Sequence, residues 1–218
     1  MACASGEFRR DGIRRPRKNK HVDLLSSSGG SPEALLQANP DTGSSNSNYD
    51  WEADPTWTPD GKSIVFGQGD RNDSGAVYLL DLKTRNASFI PGSDRLFSPR
   101  VSPDGRYISA LTISQTKLML FDTSTNRWSS LVEGKQLGYN EWSHDGKYLY
   151  VREKRAGAGE LARVRIKDRM LEHVVSLKDF PQLSDVFASW IGLTPDDAPL
   201  LMRDRSVQEL YALDLNFP

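Results

Sequence analysis

Cysteine is almost missing from this chain of 218 residues: Cys3 stands alone, which excludes an internal disulfide. Histidine is scarce as well, with three in all, His21, His144 and His173. The sequence has no Gly-x-Ser-x-Gly elbow, no His-Glu-x-x-His pair, no Cys/His zinc spacing, no P-loop and no dinucleotide fingerprint. Catalytic, cofactor-binding and metal-ligating residues are therefore assigned as none, and neither His144 nor His173 has an evident orienting partner in the sequence. Charge of one sign does not dominate either. The formal net charge is −1 although 26% of residues are charged, so no global field draws nucleic acid or an acidic membrane. No apolar stretch follows the basic residues near the start, as a signal peptide requires, and no membrane segment is expected in this chain.

Repetition is what the sequence does have. Trp57-Thr58-Pro59-Asp60-Gly61-Lys62 returns as Val101-Ser102-Pro103-Asp104-Gly105-Arg106 and as Trp142-Ser143-His144-Asp145-Gly146-Lys147. A worn fourth copy is read at Trp190 to Asp197. Proline presets φ at a corner, aspartate bonds its own backbone and glycine accepts φ > 0, so each copy predicts a tight turn. The apolar runs behind the turns, Ile64-Val65-Phe66, Tyr107 to Leu111 and Tyr148 to Val151, suit strands buried on both faces. Third strands are expected at Val77–Leu82, Lys117–Asp122 and Glu160–Ile166, and fourth strands at Ala87–Ile90, Trp128–Val132 and Leu171–Leu177. A unit of roughly 40–45 residues with four short strands is the formula of a β-propeller blade. Asp60, Asp104 and Asp145 are read as turn formers rather than a carboxylate cluster, and Trp57, Val101 and Trp142 as blade-to-blade packing.

The rest of the chain is placed around this repeat. Residues 1–20 form a basic leader, read as disordered. Residues 21–218 form the propeller: a partial blade at 21–38, blades at 54–92, 97–133 and 139–177, and a partial blade at 186–214. Val22–Leu25 is expected as a strand, and Pro32–Leu36 as a strand or a helical turn. Asn39–Asp54 is expected as a surface loop. In the last unit, strands are expected at Val186–Trp190, Pro199–Met202 and Glu209–Leu213. Asp70, Asn72 and Ser74 alternate as at the start of a calcium loop, but the closing glutamate is missing, and a hairpin loop is expected. Asn72 and Asn86 head glycosylation-type triplets read as chance matches. Arg163, Arg165 and Lys167 alternate with Val164 and Ile166, which predicts a solvated outer strand. No aromatic residues interleave with them, so no nucleic-acid contact by the propeller is expected.

The Trp/Val-(Ser/Thr)-Pro-Asp-Gly-(Lys/Arg) motif, the apolar strand behind it and the Tyr78-Leu79-Leu80-Asp81-Leu82 type of strand resemble TolB-type, WD-like propeller repeats, well over residues 54–176 and in part over 21–38 and 186–214. The ending Leu210-Tyr211-Ala212-Leu213-Asp214 is similar to the end of propellers in bacterial multidomain regulators, where a winged helix or kinase and a membrane helix precede the propeller. This resemblance implies a non-enzymatic module that binds a protein or peptide partner without a cofactor, and a periplasmic setting if the parent is membrane-tethered. The alternative it implies is the accessory propeller of a prolyl-oligopeptidase-like hydrolase that lacks its catalytic domain. Two arrangements are open: Pro32–Leu36 joins the C-terminal strands to close a small ring, or the chain is the C-terminal part of a longer propeller. The second is expected, because truncation leaves half a repeat.

Overall fold

The computed structural model describes residues 22–35, 51–69, 75–155, 158–180 and 190–203. All regular structure in them is antiparallel β. The chain forms β1 (Asp23–Leu24), β2 (Glu33–Ala34), β3 (Trp51–Trp57), β4 (Ser63–Gly69), β5 (Gly75–Asp81), β6 (Ala87–Phe89), β7 (Leu96–Val101) and β8 (Tyr107–Thr112). It continues through β9 (Lys117–Asp122), β10 (Arg127–Glu133), β11 (Gly138–Trp142), β12 (Tyr148–Arg155), β13 (Ala158–Arg165), β14 (Met170–Ser176), β15 (Ile191–Leu193) and β16 (Pro199–Leu201). Three four-stranded sheets, β3 to β6, β7 to β10 and β11 to β14, each run in chain order, and β1–β2 and β15–β16 form a two-stranded sheet at either end. This is a succession of propeller blades. No helix of the described residues is long and apolar enough to cross a membrane.

The cores lie between blades, and strand alternation builds them. Successive side chains of a strand point to opposite faces. On β4, Ile64 and Phe66 turn to β1–β2, where they meet Val22, Leu35 and Leu80, while Val65 turns the other way to Leu96, Ile108 and Ala110 of the second blade. On β12, Leu149 and Val151 face Leu111, Leu118 and Leu120 of the second blade, and Tyr150 faces Ile191 of the last unit. The second strand of each blade is therefore apolar on both faces, which is why it reads as a continuous run. Each such large side chain contributes about 1.5–3 kcal/mol by leaving water.

Blades are also tied by polar contacts that repeat. Trp142 Nε1 donates to the Arg100 carbonyl of the preceding blade at 3.0 Å, and its ring stacks on Tyr107 with centroids 6.4 Å apart. Arg169, in the β13–β14 turn, donates to the Ser130 carbonyl of β10 at 2.9 Å, and Arg85, in the β5–β6 turn, reaches Glu33 of β2 at 2.6 Å. Trp57 packs on Val22 and Leu35 like its counterpart, but its indole N–H is buried with no acceptor. The unit in front of it contributes β1 and β2 to the described sheets, and among the described residues no inner strand stands where Arg100 stands for Trp142.

Several expectations shift. β3 begins at Trp51, inside the stretch expected as a loop, because its residues pair with Gly69, Gln68 and Gly67 of β4. Pro32–Leu36 contains a strand, β2, paired with β1 (Asp23 opposite Ala34), and not a helical turn. In the last unit a strand runs over Ile191–Leu193, hard against the turn, while positions 186–189 of the strand expected at Val186–Trp190 lie outside the described residues. Position 193, not 190, therefore matches Trp57 and Trp142 in the repeat. The calcium-like loop at 70–74 and the strand at Glu209–Leu213 lie outside the described residues, as does the leader.

The two indoles separate packing from hydrogen bonding. Trp142→Phe deprives the Arg100 carbonyl of its donor, whereas Trp57→Phe removes a donor that is already unpaired. Denaturant titration of both variants is expected to show Trp142→Phe destabilised by about 1–3 kcal/mol more than Trp57→Phe. Equal losses would refute the role given to the Trp142 bond.

Candidate binding cleft

The repeated turn is closed by two side chains. Thr58 Oγ1, Ser102 Oγ and Ser143 Oγ donate to Oδ1 of Asp60, Asp104 and Asp145 at 2.7, 2.6 and 2.8 Å. The same hydroxyl oxygens accept the backbone N–H of Ser63, Tyr107 and Tyr148, the first residue of the following strand. Each aspartate also accepts the N–H two residues on, at 3.0–3.1 Å. Gly61, Gly105 and Gly146 sit at φ of 67, 73 and 68°, as the turn demands. The three carboxylates are thus turn formers, each engaged within its own blade. Among the described residues, no three His, Cys, Asp or Glu side chains gather in a metal-binding group.

The turns lie against one another from blade to blade. A Cβ on Gly105 would meet Pro59 Cδ at 3.4 Å, and one on Gly146 would meet Pro103 Cδ at 3.6 Å. The third junction keeps this geometry with different chemistry. His144 replaces the proline and Asp197 the glycine, with Asp197 at φ 63°, a left-handed conformation that aspartate tolerates better than most residues. His144 Nδ1 lies 2.6 Å from Asp197 Oδ1, which also accepts the His144 backbone N–H at 2.9 Å. The side chain of His144 is 59% exposed, as its turn position predicts, yet the orienting partner missing from the sequence reading exists in the next unit.

Behind the turns, each inner strand carries a bulge. The register shifts between Ala53 and Thr56, between Phe97 and Arg100, and between Gly138 and Asn140. Asp54, Ser98 and Tyr139, each three residues before the motif, adopt φ of 57, 52 and 40°. Bulges of this kind re-aim side chains. Here they bring Asp54, Arg100 and Glu141, from three successive inner strands, into one chain of charge: Arg100 lies 3.6 Å from Asp54 Oδ1 and 3.6 Å from Glu141 Oε2. Burial raises the Glu141 carboxyl above its ordinary value, against the lowering pull of Arg100. Burial, then the Asp54 carboxylate, likewise raises the Tyr139 phenol. Arg100 and Glu141 each stand directly before a repeat motif, so their contact joins equivalent positions of adjacent blades.

Turns and inner strands together border a cleft of about 700 Å³. Trp57, Trp142, Trp190, Leu193 and Leu200 supply its apolar lining, and Glu141 and His144 its titratable groups. Trp190 and Leu200 are 41% and 43% exposed. The arginines of the third blade lie elsewhere and are not a free basic stripe. Arg163 donates to Glu172 at 2.9 Å and covers the Tyr148 ring at 4.2 Å, and Arg165 bonds Glu172 and, at 3.0 Å, Asp168. β13 is the third strand of four rather than an outer one, and β12 sets Tyr150 and Tyr148 opposite Arg163 and Arg165. Aromatics do accompany the charges, from the neighbouring strand. His173 Nδ1 lies 3.9 Å from Glu160 on the outermost strand.

Two measurements test this geometry. The turn aspartates titrate below their ordinary 3.8. Asp145 falls to about 2, chiefly through the Lys147 ammonium, and Asp60 and Asp104 are lowered chiefly by the Thr58 and Ser102 hydroxyls. A depressed folded pKa contributes stability that is present above the ordinary value and lost as pH falls through the folded one. Stability is therefore expected to decline from about pH 4 toward pH 2, and Asp145→Asn to decline less steeply. Identical slopes in acid denaturation would overturn that assignment. Converting the third junction to Pro and Gly gives the second test: His144→Pro and Asp197→Gly each lose the shared bonds, while the double variant restores the contact of the other junctions. Their effects on unfolding free energy should fail to add by about 0.5–1 kcal/mol. Additive effects would show the two sites to be uncoupled.

No family model matches the chain, and no curated protein matches it in sequence. Solved structures do match in fold. TolB from Acinetobacter baumannii is 20% identical with a TM-score of 0.63, over 85% of this chain and 44% of that one. A structure assigned to TolB from Agrobacterium tumefaciens is 18% identical with a TM-score of 0.59, over 73% and 58%. An oligogalacturonate lyase in complex with manganese is 12% identical with a TM-score of 0.59, over 81% and 51%. The chain spans about half the length of these structures. Blade order, turn chemistry and these likenesses establish its fold as a TolB-like β-propeller.

Proposed function

We propose that the chain is a binding module without catalysis of its own, which receives a protein or peptide partner in the cleft at its turn face and serves as the interaction or sensory part of a larger bacterial regulator. One observation carries the reading: Trp190 and Leu200 hold large apolar side chains in water at an open cleft already lined by Trp57 and Leu193. Exposed apolar surface gathered at a concavity marks a place where something binds. Indole groups are the commonest anchors of such contacts. The polar groups beside the cleft support it further. The turn aspartates are consumed in closing their turns, and His144 is held by Asp197, so they serve the shape of the rim rather than a reaction.

The part played within a larger protein follows from the resemblance of the repeat and of the C-terminal stretch.

Selection of a displayed library of random short peptides against the chain tests the binding role. Peptides are expected to be recovered whose affinity falls at least about tenfold on Trp190→Ala or Leu200→Ala, while Leu171→Ala, an exposed residue of β14 away from the cleft, leaves it unchanged. Recovery of no peptide, or of peptides indifferent to Trp190 and Leu200, would overturn the assignment.

A further inference from the structure

We infer that the cleft recognises a basic residue, lysine or arginine, of its peptide partner, with Glu141 as the counter-ion and Trp190 as the aromatic face beside it. This rests on the peptide-binding reading above and adds the chemistry of the ligand. The first argument is charge. Glu141 is the one carboxylate among the described side chains of the lining, and no lysine or arginine stands there. The histidine of the lining, His144, has its Nδ1 engaged by Asp197. Behind the cleft, Arg100 is shared between Asp54 and Glu141 at 3.6 Å each, so two carboxylates draw on one guanidinium and the trio carries an excess negative charge.

The second argument is environment. Burial disfavours the Glu141 carboxylate and outweighs the lowering pull of Arg100, which is shared with Asp54, and of the Trp142 backbone. A cation entering the cleft meets a carboxylate whose charged form burial disfavours, inside a partly desolvated site where the attraction is stronger than in water. The third argument is the aromatic lining. Trp57 and Trp190 are indoles, the rings that attract cations most strongly over their faces, and Trp190 is 41% exposed. An anionic ligand would face Glu141 without a cationic side chain to balance it. A purely apolar ligand would bury the carboxylate further with no new partner.

The test uses two capped tripeptides, acetyl-Leu-Lys-Leu-amide and acetyl-Leu-Glu-Leu-amide, titrated against the chain by indole fluorescence and calorimetry. The lysine peptide is expected to bind, with at least about tenfold preference over the glutamate peptide. Glu141→Gln is expected to abolish that preference, and Trp190→Ala to weaken the lysine peptide, with thermal midpoints near that of the unaltered chain. Comparing two peptides on the unaltered protein keeps the test decisive even where a variant folds poorly. Equal binding of both peptides, or a lysine preference unmoved by Glu141→Gln, would overturn cation recognition while leaving the peptide-binding role intact. Binding of neither overturns the inference, and the library selection then decides separately whether the binding role falls with it.

Discussion

A serine or threonine hydroxyl, an aspartate carboxylate and a glycine with positive φ close the turn between the first and second strand of each blade, and the register of the blade follows from that closure. In the second blade, the Ser102 hydroxyl donates to Asp104 and accepts from the Tyr107 N–H. One side chain thus ties the turn to the first residue of the next strand. With the register fixed, alternation does the rest: the residue before the turn, Trp57, Val101 or Trp142, faces the preceding unit, and the apolar run after it divides its side chains between two interfaces. A slip of one residue would exchange every face at once, so a few polar atoms at the surface govern several apolar cores.

The same closure makes the turn face a surface of defined composition. Because each turn lies on its neighbour, the residues at its second and fourth positions are interface residues as well as turn residues. Pro59 against Gly105 and Pro103 against Gly146 are apolar contacts, in which a Cβ on the glycine would lie within van der Waals reach of the ring. At the last junction a hydrogen-bonded histidine and aspartate fill the same two places. A Cβ at the glycine position would only touch the proline ring, so the constraint there is the positive φ, and a left-handed residue other than glycine has to be one that tolerates it. Aspartate at 197 is compatible with this face because residue 144 is a histidine that can receive it.

Strand and turn positions were legible in the sequence because they are written in period-2 apolar runs and in turn residues, both local signals. β9 falls at Lys117–Asp122 as expected, and the tight turns fall at Pro59-Asp60, Pro103-Asp104 and His144-Asp145. The cleft was far less legible. Its inner-strand bulges place Asp54, Ser98 and Tyr139 at positive φ without a glycine or asparagine to announce them, and nothing local distinguishes such a residue from an ordinary strand member. Two signals were present and unused. Arg100 and Glu141 occupy the same place in adjacent repeats with opposite charge, and Asp197 departs from glycine in the unit that follows the one with histidine for proline. Both are comparisons between repeats rather than within a segment.

Bulge and turn act on the cleft in different ways. The turns are self-contained, with their aspartates engaged inside each blade, so they form a rim whose polar groups are already spent. The bulges do the opposite: Asp54 leaves strand register beside Arg100, which in turn reaches Glu141, so two carboxylates share one guanidinium. Satisfied groups shape a site and unsatisfied ones give it affinity, since a polar group short of partners gains most when a ligand supplies one. On the proposed binding reading, recognition would rest one layer below the repeated motif, at the residue directly before it. Thr56, Arg100 and Glu141 stand there in the three blades, and Gly192 in the last unit. The motif itself is held by the backbone it has to close, and the position beside it is free of that constraint.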